Sequence, residues 1–228
     1  MATNVSIDKY LKNPTKVLPT SFIEYKTKAV LKNEKRVLDE DFNSIEFDNY
    51  NDTKIIRMVN YLFSIKSDSL EKHVQFKTFM KDASTADFLL DEDFYFLLST
   101  IFHISDEEYN RICKEVDDKG YQSELCFILY TTKYSKSNKQ KRRYYPAAIC
   151  FGDLDRNINE AHINYIGVLP EYQATNYFQY VLQEFLLRVA NLDGTFVTCN
   201  VPFESPYLDN YHDCGFQDDC IWHFLRLK

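Results

Sequence analysis

The sequence predicts an α/β (α+β) fold, in which a mixed sheet has helices packed on it. The 228-residue chain is 45% hydrophobic and 16% aromatic, which is enough apolar material for one sizeable core. Its second half shows strand and helix patterns in the order strand, strand, strand, helix, strand, helix, strand. This alternation favours an α/β fold over an all-helical one.

Net charge and the lengths of the apolar runs narrow the function classes. The net charge is −7, whereas a general nucleic-acid binder is normally basic, so nucleic acid is not expected as a partner. No apolar run reaches the ~18–20 residues of a membrane span, and residues 1–12 lack the apolar core of a signal peptide. We therefore predict a cytoplasmic protein with no membrane partner, in which the six cysteines are reduced.

The chain is predicted to begin with a helical extension. Residues 1–43 form this extension, and the apolar spacing over 21–38 is typical of a helix. A first strand is predicted over 44–50, where apolar residues alternate with polar ones. Residues 51–52 then have the composition of an N-cap, which predicts a helix with apolar positions over 55–63.

Three more helices are predicted before the pattern changes at Gly120. Amphipathic spacing indicates helices over 74–80 and 91–102. Ser105 and Glu108 form a capping box, which opens a helix that Gly120 closes.

The second half of the chain contains the strands of the predicted core. These strands cover residues 124–132, 144–154, 161–169, 195–200 and 221–227. The first two form a hairpin across a polar loop over 133–143. The helix over 171–190 carries an apolar stripe, and the short helix over 207–214 ends at Gly215.

Two short motifs carry a family resemblance. Residues 166–178 join a predicted strand to a helix and match the pattern V-x-P-x-(Y/F)-(Q/R)-x-x-G-x-(G/A) at Val168, Pro170, Tyr172 and Gln173. Residues 200–216 match the pattern N-P-x-N…Y-x-x-x-G-F at Pro202, Tyr211, Gly215 and Phe216. From about Ser123 to its end, the chain therefore resembles the GNAT superfamily of N-acyltransferases.

The resemblance implies a mixed, mostly antiparallel sheet flanked by helices, with acetyl-CoA as co-substrate and no metal. The strand edge at Ile166 and Val168 would pair with the pantetheine chain. The loop that would cradle the pyrophosphate comprises Gln173, Ala174, Thr175, Asn176, Tyr177 and Phe178. Independently of any family, a tight loop entering a helix directs backbone N–H groups at one spot, where the helix dipole favours an anion.

Domain boundaries follow from the same resemblance. Residues 44–228 form the acyltransferase domain, and residues 1–43 remain outside it. Within the domain, 44–120 supply the first strand and the substrate-side helices, and 121–228 form the coenzyme-binding core. Dimers are common in the family, so a homodimer is left open.

Two positions of the loop depart from the family pattern. Asn176 stands where glycine is usual, and asparagine tolerates left-handed backbone angles better than most residues. Phe178 stands where glycine or alanine is usual. Its ring would either crowd the phosphates or turn into the core.

Tyr211 and His162 are the candidate catalytic residues, because acyl transfer to an amine needs an acid and a base. The resemblance implies that Tyr211 protonates the sulfur of coenzyme A; the alternative is a packing tyrosine. His162 lies six residues before Val168, where some family members have a glutamate base, and a histidine can also serve. The alternative is an ordinary half-exposed strand residue. Glu160 lies close to His162 in the sequence.

Two other patterns are weaker. The residues His212, Cys214, Cys220 and His223 are of zinc-ligand type, but their spacing is not that of a zinc finger, and no metal site is predicted. The basic loop over 133–143 could contact phosphate, and we interpret it as a solvated hairpin tip.

The sequence thus predicts an N-acetyltransferase that moves the acetyl group of acetyl-CoA to an unidentified amine by direct attack. One alternative is a catalytically inactive module of the same fold that binds or regulates. Another is a transferase of a different acyl group.

Overall fold

The structure, a computed structural model, describes residues 22–24, 29–32, 35–37, 50–62, 74–78, 92–119, 123–133 and 143–227. The chain divides into two compact units. The first unit comprises the described residues within Met1–Val59, Cys199–Leu208 and Phe216–Lys228, and the second unit comprises those within Asn60–Thr198 and Asp209–Gly215.

The described residues form strands and helices with the following bounds. The strands are β1 Phe22–Glu24, β2 Ala29–Lys32, β3 Lys35–Val37, β4 Tyr50–Asn60, β5 Val74–Thr78, β6 Cys126–Lys133, β7 Arg143–Asp155, β8 Glu160–Val168, β9 Phe196–Pro202 and β10 Gln217–Leu227. The helices are α1 Glu92–Phe102, α2 Asp106–Lys119, α3 Tyr177–Asn191 and α4 Leu208–Asp213.

The first unit contains an antiparallel sheet in the order β3-β2-β1-β10-β4. The ladder between β4 and β10 has a register shift that leaves Asp219 as an extra residue, a β-bulge. The carboxylate of Asp219 accepts a hydrogen bond from the buried guanidinium of Arg57. A buried charge is costly without a partner, so the bulge supplies Arg57 with its counter-charge.

The second unit contains a mixed sheet. Its strands β5, β6, β7 and β8 are consecutive neighbours, and each pair is antiparallel. The start of β9 lies beside β8: Thr195 N donates to Asn159 O at 2.9 Å, and Thr198 Oγ1 donates to Ala161 O at 3.5 Å. These contacts advance in the same direction along both strands, so β8 and β9 run parallel, and α3 is the crossover between them.

Helix α1 forms one side of the core of the second unit. Its side chains at helical spacing, Phe94, Leu97 and Leu98, are fully buried. They belong to one apolar cluster with Ile128 of β6 and Phe151 of β7. The apolar face of α1 therefore packs on the strands of the predicted hairpin.

Helix α3 buries the stripe that its sequence predicts. Val181, Phe185 and Val189 of this stripe are completely buried. The helix comes so close to β7 that a Cβ added at Gly152 would lie 2.6 Å from the Phe185 ring and 2.6 Å from His162 O. Only glycine fits this position without a shift of the backbone.

The elements from residue 92 onward confirm most of the sequence predictions. Helices α1 and α2, the hairpin β6–β7 and the strands β8, β9 and β10 occur where they are predicted. Ser105 is the N-cap as predicted, since Glu108 N donates to Ser105 Oγ at 3.2 Å. Gly215 has φ +89°, the left-handed conformation expected of a residue that ends a helix.

Three helix predictions in the first part of the chain are wrong. The described residues of the predicted helix over 21–38 are the strands β1, β2 and β3. The predicted helix over 55–63 is strand β4 up to Asn60. The predicted helix over 74–80 is strand β5 up to Thr78. The predicted strand over 44–50 lies outside the described residues, except for Tyr50.

The reason for these errors is strand pairing with distant parts of the chain. Ile55, Ile56 and Val59 fit one face of a helix, but β-branched residues also favour a strand. Strand β4 pairs with β10 from Val59↔Gln217 to Tyr50↔Leu227, and those backbone hydrogen bonds decide the outcome. Local spacing alone does not separate the two structures.

One boundary differs in the second half. The helix predicted from residue 171 begins at Tyr177, because Pro170–Tyr172 form a 3-10 turn. None of the helices in the described ranges is long and apolar enough to span a lipid bilayer.

Candidate functional site

Strand β8 is interrupted by a β-bulge. Its partners on β7 pass from Phe151↔Tyr165 to Gly152↔Ile163, which leaves Asn164 as an extra residue. Asn164 Nδ2 donates to Asp153 Oδ1 at 3.2 Å and holds the bulge to β7. A bulge bends its strand and redirects the side chains that follow. Nothing in the sequence signals this bulge, because His162 and Asn164 alternate with apolar residues as they would in a regular strand.

The connection from β8 to α3 is a tight turn held by its own hydrogen bonds. Leu169 N donates to Ala147 O at 2.9 Å, which fixes the end of the strand. Thr175 N and Thr175 Oγ1 both donate to Tyr172 O, at 3.0 Å and 2.6 Å. Thr175 Oγ1 in turn accepts from Tyr177 N at 3.3 Å. Residues 173–176 are exposed, so this turn is accessible from solvent.

The start of α3 has no acidic side chain in its first turn. Asn176 is the N-cap residue, and its side chain does not bond to the helix backbone. A helix has no intrahelical partner for its first N–H groups, and its dipole adds about half a positive charge at this end. Asn176 has φ −79°, so its tolerance of left-handed angles is not needed here.

Phe178 turns into the core. Its side chain is 3% exposed, and its ring lies edge-on to the ring of Tyr211, with 5.4 Å between the centroids. Of the two outcomes that the sequence left open for Phe178, this is the second. The ring therefore fills the space beneath the helix start, and the exposed side of the turn is formed by residues 173–176.

Tyr211 is buried as well, at 4% exposure. It lies on α4, whose C-terminal turn is held by Gly215 N donating to His212 O at 2.9 Å. Asn60 Nδ2 donates to Cys214 O at 2.8 Å in the same turn. The structure thus brings Tyr211 and the predicted loop residue Phe178 into direct contact, a pairing that sequence spacing did not reveal.

The remaining predicted coenzyme residues divide into exposed and packed side chains. Tyr177 is buried, its hydroxyl lies 2.9 Å from Thr131 Oγ1, and its ring lies 5.5 Å from that of Tyr172. Val168 is buried at the end of β8, and Ile166 is half-buried. Tyr177, like Phe178, therefore offers its backbone, rather than its side chain, to the turn.

His162 lies near the other end of β8. It is six residues from Val168, about 20 Å along an extended strand. Its Nδ1 is 2.9 Å from Thr198 Oγ1, and that hydroxyl donates to Glu160 Oε1 at 2.7 Å. The sequence identified His162 and noted Glu160, but it gave no signal for Thr198, which a different strand supplies.

The comparisons with known proteins give one positive result. No protein-family model matches the sequence, and no curated protein matches it significantly. A GCN5-related N-acetyltransferase from Sphaerobacter thermophilus is 12% identical, with a TM-score of 0.64 over 95% of this chain and 63% of that chain. An acetyltransferase of the GNAT family from Colwellia psychrerythraea is 13% identical, with a TM-score of 0.52 over 91% of this chain and 64% of that chain. A functionally unknown conserved protein from Staphylococcus epidermidis is 14% identical, with a TM-score of 0.53 over 99% of this chain and 79% of that chain.

The chain has the GNAT fold. This result confirms the fold class, which is also the fold that the resemblance of the two motifs implied. The chain spans just under two thirds of the length of the first two of these structures. Identities of 12% and 13% establish the GNAT fold alone, so activity, substrate and partners are matters for proposal.

Within this GNAT fold, the first motif occupies the junction of β8 and α3, and Tyr211 of the second motif contacts Phe178 at the start of α3.

Among the described residues, no three histidine, cysteine or acidic side chains are grouped as metal ligands. The side chains of Cys220 and His223, which the sequence weighed as zinc ligands, lie outside the described set.

Proposed function

We propose that the chain is an N-acetyltransferase that moves the acetyl group of acetyl-CoA to an amine by direct attack. One observation carries the proposal. The exposed turn over 173–176 leads into a 15-residue helix whose first turn holds no acidic side chain. Such a helix start favours a phosphate group, and it follows the strand that bears the candidate base.

The separation along β8 favours a long ligand. The anion site lies at the end of the strand and His162 lies about 20 Å before it, at roughly 3.3 Å per residue. Coenzyme A has a pyrophosphate joined to an extended pantetheine arm that ends in the reactive sulfur. The arm of such a ligand can lie along the edge near Ile166 and Val168 and direct the thioester from the helix start towards His162.

The proposed reaction has no covalent enzyme intermediate. The amine nitrogen forms a bond to the thioester carbonyl carbon, and the bond from that carbon to sulfur breaks. Tyr211, which packs at the start of α3, donates its proton to the leaving thiolate, and the proton of the attacking amine passes through water to Nε2 of His162, farther along β8. Both residues then exchange protons with water and return to their starting states.

Several finer statements belong to this proposal. The acyl group is acetyl rather than another acyl group, and the acceptor is an amine of unidentified class. The protein works in the cytoplasm, residues 44–228 act as the transferase domain, and no metal takes part. The proposal leaves open whether the chain forms a homodimer.

The burial of Tyr211 and Phe178 favours a second candidate function. Both rings are less than 5% exposed and pack against each other. A tyrosine enclosed in this way has to be uncovered before it can protonate a thiolate. If it stays enclosed, the chain is a catalytically inactive module of the GNAT fold that binds or regulates.

Isothermal titration of the full chain with acetyl-CoA tests the proposal. We expect one binding site per chain, with a dissociation constant below the millimolar range. Dephospho-CoA, which keeps the pyrophosphate, should retain most of that affinity, and pantetheine, which lacks it, should lose most of it. No heat of binding at millimolar acetyl-CoA would overturn the proposal and leave the inactive module.

Binding alone does not separate a transferase from a module that merely holds the coenzyme. A second measurement follows release of free coenzyme A thiol in the presence of a mixed set of amines. The variant Tyr211→Phe keeps the buried ring and loses only the hydroxyl. We expect it to bind acetyl-CoA as the wild type does and to release thiol at least tenfold more slowly, since a general acid contributes about 10²–10⁴-fold. Coenzyme binding without thiol release in the wild type would favour the module.

A further inference from the structure

Three polar side chains of the second unit form a hydrogen-bonded chain where β8 and β9 begin. Thr198 is completely buried and Glu160 is 4% exposed, while His162 is half-buried. Thr198 Oγ1 lies 2.7 Å from Glu160 Oε1 and 2.9 Å from His162 Nδ1. The hydroxyl thus stands between a carboxylate and an imidazole ring.

The protons of this chain can be assigned from the chemistry of its groups. A threonine hydroxyl has one proton to donate, and an ionised carboxylate only accepts. The proton of Thr198 is therefore directed to Glu160 Oε1. The oxygen of Thr198 must then accept from His162 Nδ1, which carries a proton in this arrangement.

A third neighbour of the hydroxyl does not change this assignment. Ala161 O lies 3.5 Å from Thr198 Oγ1, against 2.7 Å for Glu160 Oε1. The shorter contact has the geometry and the charge of a strong hydrogen bond. The hydroxyl therefore donates its hydrogen bond to Glu160 Oε1.

We infer that Thr198 and Glu160 are positioning residues that hold neutral His162 in its Nδ1–H tautomer and thereby put the lone pair on Nε2. The catalytic meaning of this inference rests on the proposed acetyl transfer, in which Nε2 accepts the proton of the amine. The tautomer itself is a property of the protein without any ligand. When Nε2 is protonated, Nδ1–H keeps its hydrogen bond to Thr198, as at other sites where a hydrogen-bonded partner fixes a histidine.

The tautomer can be measured directly. Long-range ¹⁵N–¹H correlation spectra of the ¹⁵N-labelled full chain, at about pH 8 where imidazole is neutral, separate the protonated ring nitrogen from the nitrogen with the lone pair. The chain has five histidines, so the signals of His162 are assigned by their loss in His162→Gln. We expect the proton of His162 on Nδ1, the minority form of free histidine in water.

Two variants test whether Thr198 is the cause. Thr198→Val keeps the branched shape and removes the hydroxyl, and we expect His162 to revert to the ordinary Nε2–H form. Thr198→Ser keeps the hydroxyl and should keep the Nδ1–H form. A role in packing alone would not distinguish the two substitutions in this way.

Each outcome decides the inference. A wild-type His162 with its proton on Nε2 overturns it, and so does a folded Thr198→Val protein that retains the Nδ1–H form. If Thr198→Val does not fold, the spectra of the wild type and of Thr198→Ser decide alone. Failure of acetyl-CoA to bind in calorimetry, with the tautomer as expected, overturns the acetyl-transfer proposal and leaves the assignment of protons standing.

Discussion

A negative charge placed at the start of α3 should weaken coenzyme binding without weakening the fold. The substitution is Asn176→Asp, at the exposed N-cap residue whose side chain makes no cap hydrogen bond. Aspartate is as good an N-cap as asparagine, and the helix dipole favours a negative charge here by about 0.3–1 kcal/mol. The free energy of unfolding should therefore stay the same or rise.

Coulomb repulsion gives the size of the effect on binding. Two unit charges about 5 Å apart repel by roughly 1 kcal/mol in bulk water and roughly 3 kcal/mol at the effective dielectric of a protein surface. If the pyrophosphate lies at this helix start, the dissociation constant for acetyl-CoA should rise by about 5- to 150-fold. The loss should shrink at high salt, because salt screens exposed charges.

The matched control is Asn191→Asp at the opposite end of the same helix. The 15 residues of α3 span about 22 Å, which exceeds the Debye length of about 8 Å at physiological salt. Calorimetry with acetyl-CoA should therefore give a wild-type affinity for this variant. Equal affinities for the wild type and a folded Asn176→Asp protein would refute the placement of the pyrophosphate at this turn.

The remaining predictions concern the packing of the second unit. Gly152→Ala should lower the free energy of unfolding by about 1–3 kcal/mol in urea denaturation, because its Cβ would meet the backbone oxygen of His162 at 2.6 Å. Gly167→Ala should cost less, because its Cβ would meet the side chains of Ile101 at 2.6 Å and Phe102 at 3.0 Å rather than the backbone, and a larger loss there than at Gly152 would contradict this reasoning. Burial raises the pKa of the Cys126 thiol, so the native chain should leave this thiol unalkylated by iodoacetamide and label it only after unfolding. In the unfolded chain this thiol ionises at about pH 8.5, below the pH at which it ionises in the folded chain, so the free energy of unfolding falls as the pH rises above that value. The difference in free energy of unfolding between the wild type and Cys126→Ala should therefore narrow above about pH 8.5. A difference that stays constant would show that the thiol titrates alike in the folded and unfolded states.

The sequence by itself determined the elements whose signals are local. Five such features are present where the pattern predicts them: the apolar spacing of α1, the N-cap Ser105, the hairpin β6–β7, the stripe of α3 and the left-handed Gly215. These features depend on neighbours within a few positions along the chain. The two GNAT motifs are also contiguous, so their residues alone were enough to indicate the fold.

Only the tertiary structure decided the features that depend on distant partners. Residues 50–60 became β4 rather than a helix because β10 supplies their hydrogen bonds. Phe178 turned towards Tyr211, and Thr198 came between Glu160 and His162 from a strand 36 residues away from the histidine. The spacing of apolar residues along the chain indicates which secondary structure a segment favours. Strand pairing and burial depend instead on which distant residues pack beside that segment. The candidate site consists mainly of contacts between residues that are distant in the sequence. For that reason the sequence identified the residues of the site but not their arrangement.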